Sequence, residues 1–113
     1  KYAITQYLKE KNLTYGYASF WNCQTITLLS DSEIICSNVR IDNEGVNSEA
    51  YQTDIKRFIE QDGIDKYFLL VTDEEYDSLA TNISWNITQS LSEEYVTEEY
   101  GVFVFDSPRL IFV

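Results

Sequence analysis

The sequence predicts an α/β domain: a layered sandwich of a mostly parallel sheet of four to five strands, helices packed on it, and antiparallel C-terminal strands. Three observations predict it. Segments with apolar residues at helical spacing alternate with short runs rich in β-formers. One run, KYFLLVT, is apolar without a break, as suits a central strand buried on both faces. The late stretch EYVTEEYGVFVFD alternates and then runs apolar, the pattern of two neighbouring strands with the turn near Glu98 to Gly101.

Taken in order, YAITQYLKEK sets Ala3, Ile4, Tyr7 and Leu8 at helical spacing, with Lys9, Glu10 and Lys11 on the other face and Asn12 as a stop. LTYGYAS follows as a short strand, and Gly16 and Ala18 mark a place where something packs closely on its backbone. Tyr15 and Tyr17 should leave one face of that strand, and Thr14, Gly16 and Ala18 the other. Ser19 is a good N-cap for a helix over FWNCQTITLLS, with Trp21, Ile26, Leu28 and Leu29 expected to point inward. DSE turns the chain into a strand, IICSNVRI. DNEGVNSEA, residues 42–50, is polar and predicts a loop, and YQTDIKRFIEQDG predicts a helix with Tyr51, Ile55, Phe58 and Ile59 inward and Gly63 at its end. After KYFLLVT, Asp73 is expected to cap the short acidic helix EEYDSLA. TNISWNITQSLS, residues 81–92, fits either a short helix or an extended loop. Pro108, the only proline, interrupts the chain before LIFV.

Composition narrows the functions. The 113 residues amount to one domain, and a hydrophobic share of 44% is enough for a packed core. With 19 acidic against 8 basic residues and a net charge of −11, the surface repels phosphate backbones and anionic headgroups, so no nucleic-acid partner is expected. There is no histidine, which excludes Ser-His-Asp and Cys-His catalysis and histidine-ligated metals. No Ser-x-x-Lys motif and no glycine-rich phosphate loop occurs. The carboxylates cluster at turns and helix starts, and among so many some pair always has the separation a glycosidase needs, so the clustering assigns nothing. The expectation is therefore a chain with no catalytic residue, no metal site and no cofactor. No run approaches the ~20 apolar residues of a membrane span, so direct membrane insertion is not expected. The absence of methionine, even at the start, points to a piece excised from a longer protein.

Cys23 and Cys36 lack the spacing of a redox CxxC motif. A disulfide or two buried thiols are both open, and buried thiols are preferred because a helix-borne and a strand-borne cysteine need not face each other. Asn-x-Ser/Thr occurs at Asn12, Asn82 and Asn86, which matters only in a eukaryotic secreted protein.

The stretch LTYGYASFWN carries the one candidate ligand site. Core packing accounts for Tyr15, Tyr17, Phe20 and Trp21 as anchors between helix and sheet. Alternatively, the strand end and helix start form the crevice where α/β sheets bind ligands, and Ser19, Trp21 and Asn22 would meet a sugar's hydroxyls and CH face.

The segments Tyr7 to Leu13, Tyr15 to Ala18, Phe20 to Asn22, Thr27 to Ser30 and Val102 to Asp106 together give the chain a family likeness. It resembles the soluble C-terminal domain that follows the last membrane span in polytopic glycosyltransferase-like proteins of Gram-positive bacteria. The resemblance implies an extracytoplasmic location, tethering to the cytoplasmic membrane, and the membrane-embedded part of the same chain as partner, with cell-envelope glycan as a further one. It also implies that sugar transfer belongs to acidic residues in membrane-proximal loops outside these 113 residues. A stand-alone secreted or surface-attached module that binds carbohydrate or protein is the alternative.

Overall fold

A computed structural model describes residues 2–48, 59–89, 92–96 and 100–111. Their elements are α1 (Tyr2–Glu10), β1 (Tyr15–Ala18), α2 (Phe20–Leu29), β2 (Ile35–Asp42), β3 (Gly45–Ser48), β4 (Tyr67–Thr72), α3 (Asp73–Leu79), α4 (Ile83–Gln89), β5 (Glu93–Val96), β6 (Tyr100–Phe105) and a 3-10 turn at Pro108–Leu110.

The α/β class holds, but the sheet is not mostly parallel. Six strands run in the order β3-β2-β1-β4-β6-β5, and only two of the five pairings, β1 with β2 and β1 with β4, are parallel. The sheet is mixed and curled rather than one layer of a clear sandwich. A parallel pair needs a crossover, which α2 supplies between β1 and β2, whereas a tight turn yields an antiparallel pair. Such a turn joins β2 to β3 inside the segment expected to be a loop. Asp42 Oδ1 accepts a hydrogen bond from the Glu44 amide at 2.9 Å, and Gly45 takes φ +107°, open to it because it has no Cβ. The strand was hidden because GVNS is a short, mostly polar edge. The C-terminal strands are antiparallel, as expected, with β6 between β4 and β5. Tyr100 and Gly101 lie within β6, and Glu98 lies outside the described residues.

Each face of the sheet has its own core. Ile4 and Leu8 of α1 and Cys23 and Ile26 of α2 pack on Ala18, Cys36, Phe68, Leu70, Val102 and Val104. On the opposite face, Leu79 of α3 and Trp85 of α4 pack with Tyr15, Tyr17, Tyr67, Leu69, Val71, Phe103 and Phe105. Tyr15 and Tyr17 therefore do share a face, and Tyr15 meets Tyr67 edge to face at 5.7 Å. Of the α1 residues expected at the core, Ile4 and Leu8 are buried, Tyr7 is partly buried and Ala3 is exposed.

The cysteines correct another expectation. Cys23 and Cys36 form a disulfide, with Cα atoms 5.2 Å apart. Cys23 lies on the sheet-facing stripe of α2 and Cys36 on the strand face beneath it, so the two are brought together rather than left as buried thiols. The bridge spans 13 residues, and closing a loop of about that length stabilises a fold by roughly 3 kcal/mol.

Three helix details also differ. Trp21 and Leu28 are 75% and 76% exposed instead of inward. The buried stripe is Asn22, Cys23 and Ile26, and in a helix whose apolar and polar residues are spread round its circumference, spacing cannot say which face meets the sheet. The cap of α3 is Thr72 rather than Asp73. Its hydroxyl accepts from the Glu75 amide at 3.2 Å, and the Glu75 carboxylate accepts from the Thr72 amide at 3.0 Å, forming a capping box. Of the helix expected over 51–63, residues 51–58 lie outside the described residues. The rest, 59–63, forms a bend and a turn, with Gly63 at φ +79° and Ile59 exposed.

The tightest packing lies at Gly16. A Cβ built there overlaps the Phe68 ring and the Phe68 carbonyl oxygen on the neighbouring strand. Gly16→Ala is expected to lower stability by about 3 kcal/mol, read from the shift in urea midpoint; an unchanged midpoint would show that β1 and β4 separate freely. A second expectation concerns Tyr17, fully buried in the tyrosine-rich core. Burial, helped by the neighbouring Tyr15 and Tyr67, pushes its phenol well above the ordinary value of 10. The folded state then holds a proton that the unfolded chain releases above that value, so stability is full below pH 10 and falls as the pH rises beyond it. Tyr17→Phe should flatten this alkaline decline, measured by thermal denaturation at successive pH values.

Candidate functional site

Two places can hold chemistry, and the first is the junction expected from the sequence. β1 sits between two parallel neighbours. The helix after β1 packs on one face of the sheet, and the helix after β4 on the other. The carboxyl ends of β1 and β4 are thus a topological switch point, where open α/β sheets place ligands. Ser19, Trp21 and Asn22 lie at that end.

These three side chains do not converge. Ser19 has the extended backbone of an N-cap, yet its hydroxyl makes no capping bond. It accepts instead from Asn22 Nδ2 at 3.1 Å, and Asn22 is buried. Trp21 points away into solvent and meets the half-exposed Phe20 edge to face at 5.2 Å. The junction is therefore a polar pair, with Asn22 on the buried stripe of α2, beside an exposed aromatic pair.

The second place is a cavity of about 330 Å³ between the β2–β3 hairpin and α4, closed at one side by Ile111. Glu44, Gly45, Val46 and Asn47 line it from the hairpin, and Asn82, Ser84, Trp85 and Thr88 from the helix side. Asn82 holds the two walls together. Its Oδ1 accepts from the Trp85 amide at 2.8 Å, which caps α4. Its Nδ2 donates to the Asn43 carbonyl of the hairpin turn at 3.1 Å.

The helix buries only part of its apolar surface. Trp85 and Thr88 are buried, while Ile83 and Ile87 are 79% and 64% exposed. Trp85 stands edge-on to Phe103, with centroids 5.1 Å apart, so one side of the indole is fixed by the sheet. Its Nε1 is buried and has no hydrogen-bond partner among the described residues. A buried donor left unpaired costs about 1–3 kcal/mol. Glu44 is the one charged residue in the lining among the described residues, and Arg40 lies 3.8 Å from its carboxylate.

Sequence reading missed this cavity. The available signal was Ser84, Trp85 and Thr88 at the i, i+1, i+4 spacing of one helix face, opposite Ile83 and Ile87. A shallower depression of about 350 Å³ at the end of α2, lined by Gln24, Thr27, Leu28, Asp31 and Ser32, contains no such unpartnered group.

The junction residues are expected to part company on mutation. Trp21→Ala should change stability by less than about 0.5 kcal/mol, whereas Asn22→Ala should cost about 1 kcal/mol by leaving the Ser19 hydroxyl unpaired. Paired denaturation curves check this, and equal losses would mean that Trp21 is packed after all. Comparison with protein-family models, with curated proteins and with solved structures finds no match to this chain.

Proposed function

We propose that the chain is a non-catalytic extracytoplasmic domain, tethered as the accessory part of a membrane-embedded glycosyltransferase-like protein, where it positions a cell-envelope glycan or an acceptor. The observation that carries the extracytoplasmic reading is the Cys23–Cys36 disulfide, since such bonds persist in oxidising compartments and are rare in reducing ones. No helix among the described residues is long and apolar enough to cross a membrane, so the tether in this reading belongs to another part of the parent chain. The non-catalytic reading rests on the lack of histidine and on Tyr17, the described group with the clearest displaced titration, lying in the core. The family likeness of the YGYASFWN region supports the glycosyltransferase context.

A second reading, a stand-alone secreted or surface-attached binding module, is favoured by the exposed Phe20–Trp21 pair and the polar cavity. The coding sequence upstream of Lys1 separates the two. A series of hydrophobic spans is expected there, and its absence would remove the tethered reading and leave the module. Location is tested by alkylating intact cells before lysis and mapping the cysteines by mass spectrometry. Cys23 and Cys36 should resist alkylation until reduced; ready alkylation without reductant would place the domain in a reducing compartment.

A further inference from the structure

We propose that Asp62 is a site of spontaneous covalent modification, where its side chain closes on the Gly63 amide to a cyclic imide that reopens in part as isoaspartate. This goes beyond the glycan-positioning reading and does not rest on it.

The sequence singles the pair out first. The chain has four glycines, and Asp62 is the only aspartate or asparagine directly before one. Ring closure needs the nitrogen of the next residue to reach the aspartate Cγ, and a following side chain obstructs that approach. Here the approach is open, since nothing lies within 4 Å of the place a Cβ on Gly63 would take. Both residues are exposed and form a turn between Gln61 and Ile64. Gly63 has φ +79° and the Ile64 amide donates to the Gln61 carbonyl at 3.2 Å, as in a type II turn.

Hydrogen bonding singles it out again. Among the described residues, neither the Asp62 carboxylate nor the Gly63 amide has a partner. Other aspartates show the contrast. The Asp42 carboxylate takes Arg40 at 3.2 Å and the Glu44 amide at 2.9 Å, and Asp106 takes Lys66 at 2.6 Å. After Asp31, the Ser32 amide donates to the Thr27 carbonyl at 2.9 Å. After Asp77, the Ser78 amide lies within α3 and its helical bonding. Two unengaged groups on adjacent residues have the proximity that favours an intramolecular reaction.

The step needs no co-reactant. The Gly63 nitrogen attacks Cγ of the protonated carboxyl, the N–Cγ bond forms, and the Cγ hydroxyl departs with the amide proton as water. One water then adds back. Cleavage at Cγ restores aspartate, whereas cleavage at the main-chain carbonyl carbon leaves the peptide link running through Cβ and Cγ. That adds one atom to the backbone of a turn whose two ends both bond the Tyr67 hydroxyl. The Gln61 amide donates to it at 2.7 Å, and it donates to the Ile64 carbonyl at 3.2 Å. A lengthened turn no longer fits this clasp at the entry to β4.

The folded domain, held at neutral pH and body temperature for several weeks, tests this. Isoaspartate is read by enzymatic methyl transfer to its free carboxylate and located by peptide mass spectrometry. Label should rise at Asp62 ahead of every other aspartate and asparagine. Asp62→Asn should speed labelling severalfold, because an amide carbon is a better electrophile than a carboxylate carbon. Asp62→Glu, which needs a larger and less favourable ring, should hold it at background. Converted protein should also show a lower urea midpoint than fresh protein. Label at Asp62 no higher than at other aspartates, or undiminished label in Asp62→Glu, would overturn the assignment. Equal midpoints in fresh and converted protein would overturn the role given to the Tyr67 clasp.

Discussion

The approach of β1 to β4 at Gly16 is the constraint on which the rest of the molecule depends. Phe68 occupies the space where any other residue at position 16 would place its Cβ, and this lets β1 lie in register between β2 and β4. With that strand in place, Tyr15 and Tyr17 turn to one face, and Ala18 goes to the other. Both cores are therefore organised around four residues.

The Cys23–Cys36 bond extends that organisation outward. It joins the crossover helix to the strand the helix leads into, so α2 and β2 are held as one unit on the edge side of β1. Beyond β2 the hairpin to β3 projects toward α4, and Asn82 ties the two together. The cavity is a consequence of this arrangement. A helix that turns Trp85 and Thr88 inward and leaves Ile83 and Ile87 outside forms a polar wall where a core would ordinarily close. Two exposed isoleucines forgo the stabilisation of burial, and an unpaired indole donor costs about 1–3 kcal/mol.

Most of the elements were legible in the sequence, because their signals are local. Helical spacing in α1, the apolar run of β4 and the alternation before β6 each depend on neighbouring residues alone. The same holds for the strand faces of Tyr15 and Tyr17, which follow from the two-residue repeat. The failures have a common cause. The outward face of Trp21, the pairing of Cys23 with Cys36 and the strand at Gly45–Ser48 all depend on what lies opposite. Thr72 is a smaller case: Thr-x-x-Glu was readable as a capping box, but the acidic run beginning at Asp73 drew attention one residue too far. The candidate site at Ser19, Trp21 and Asn22 was correctly placed at a strand end. There the Asn22 amide donates to the Ser19 hydroxyl, and Trp21 stands apart in solvent.

The sequence by itself determined the α/β class, the excess of negative charge, the exclusion of histidine chemistry and the buried central strand, since each follows from composition or short-range pattern. Tertiary structure alone decided the mixed pairing of the sheet, the disulfide, and a polar cavity assembled from residues 44–47, 82, 84, 85, 88 and 111. The physical reason is sequence distance. The β2–β3 hairpin, α4 and Ile111 are far apart along the chain and become neighbours only in the folded molecule.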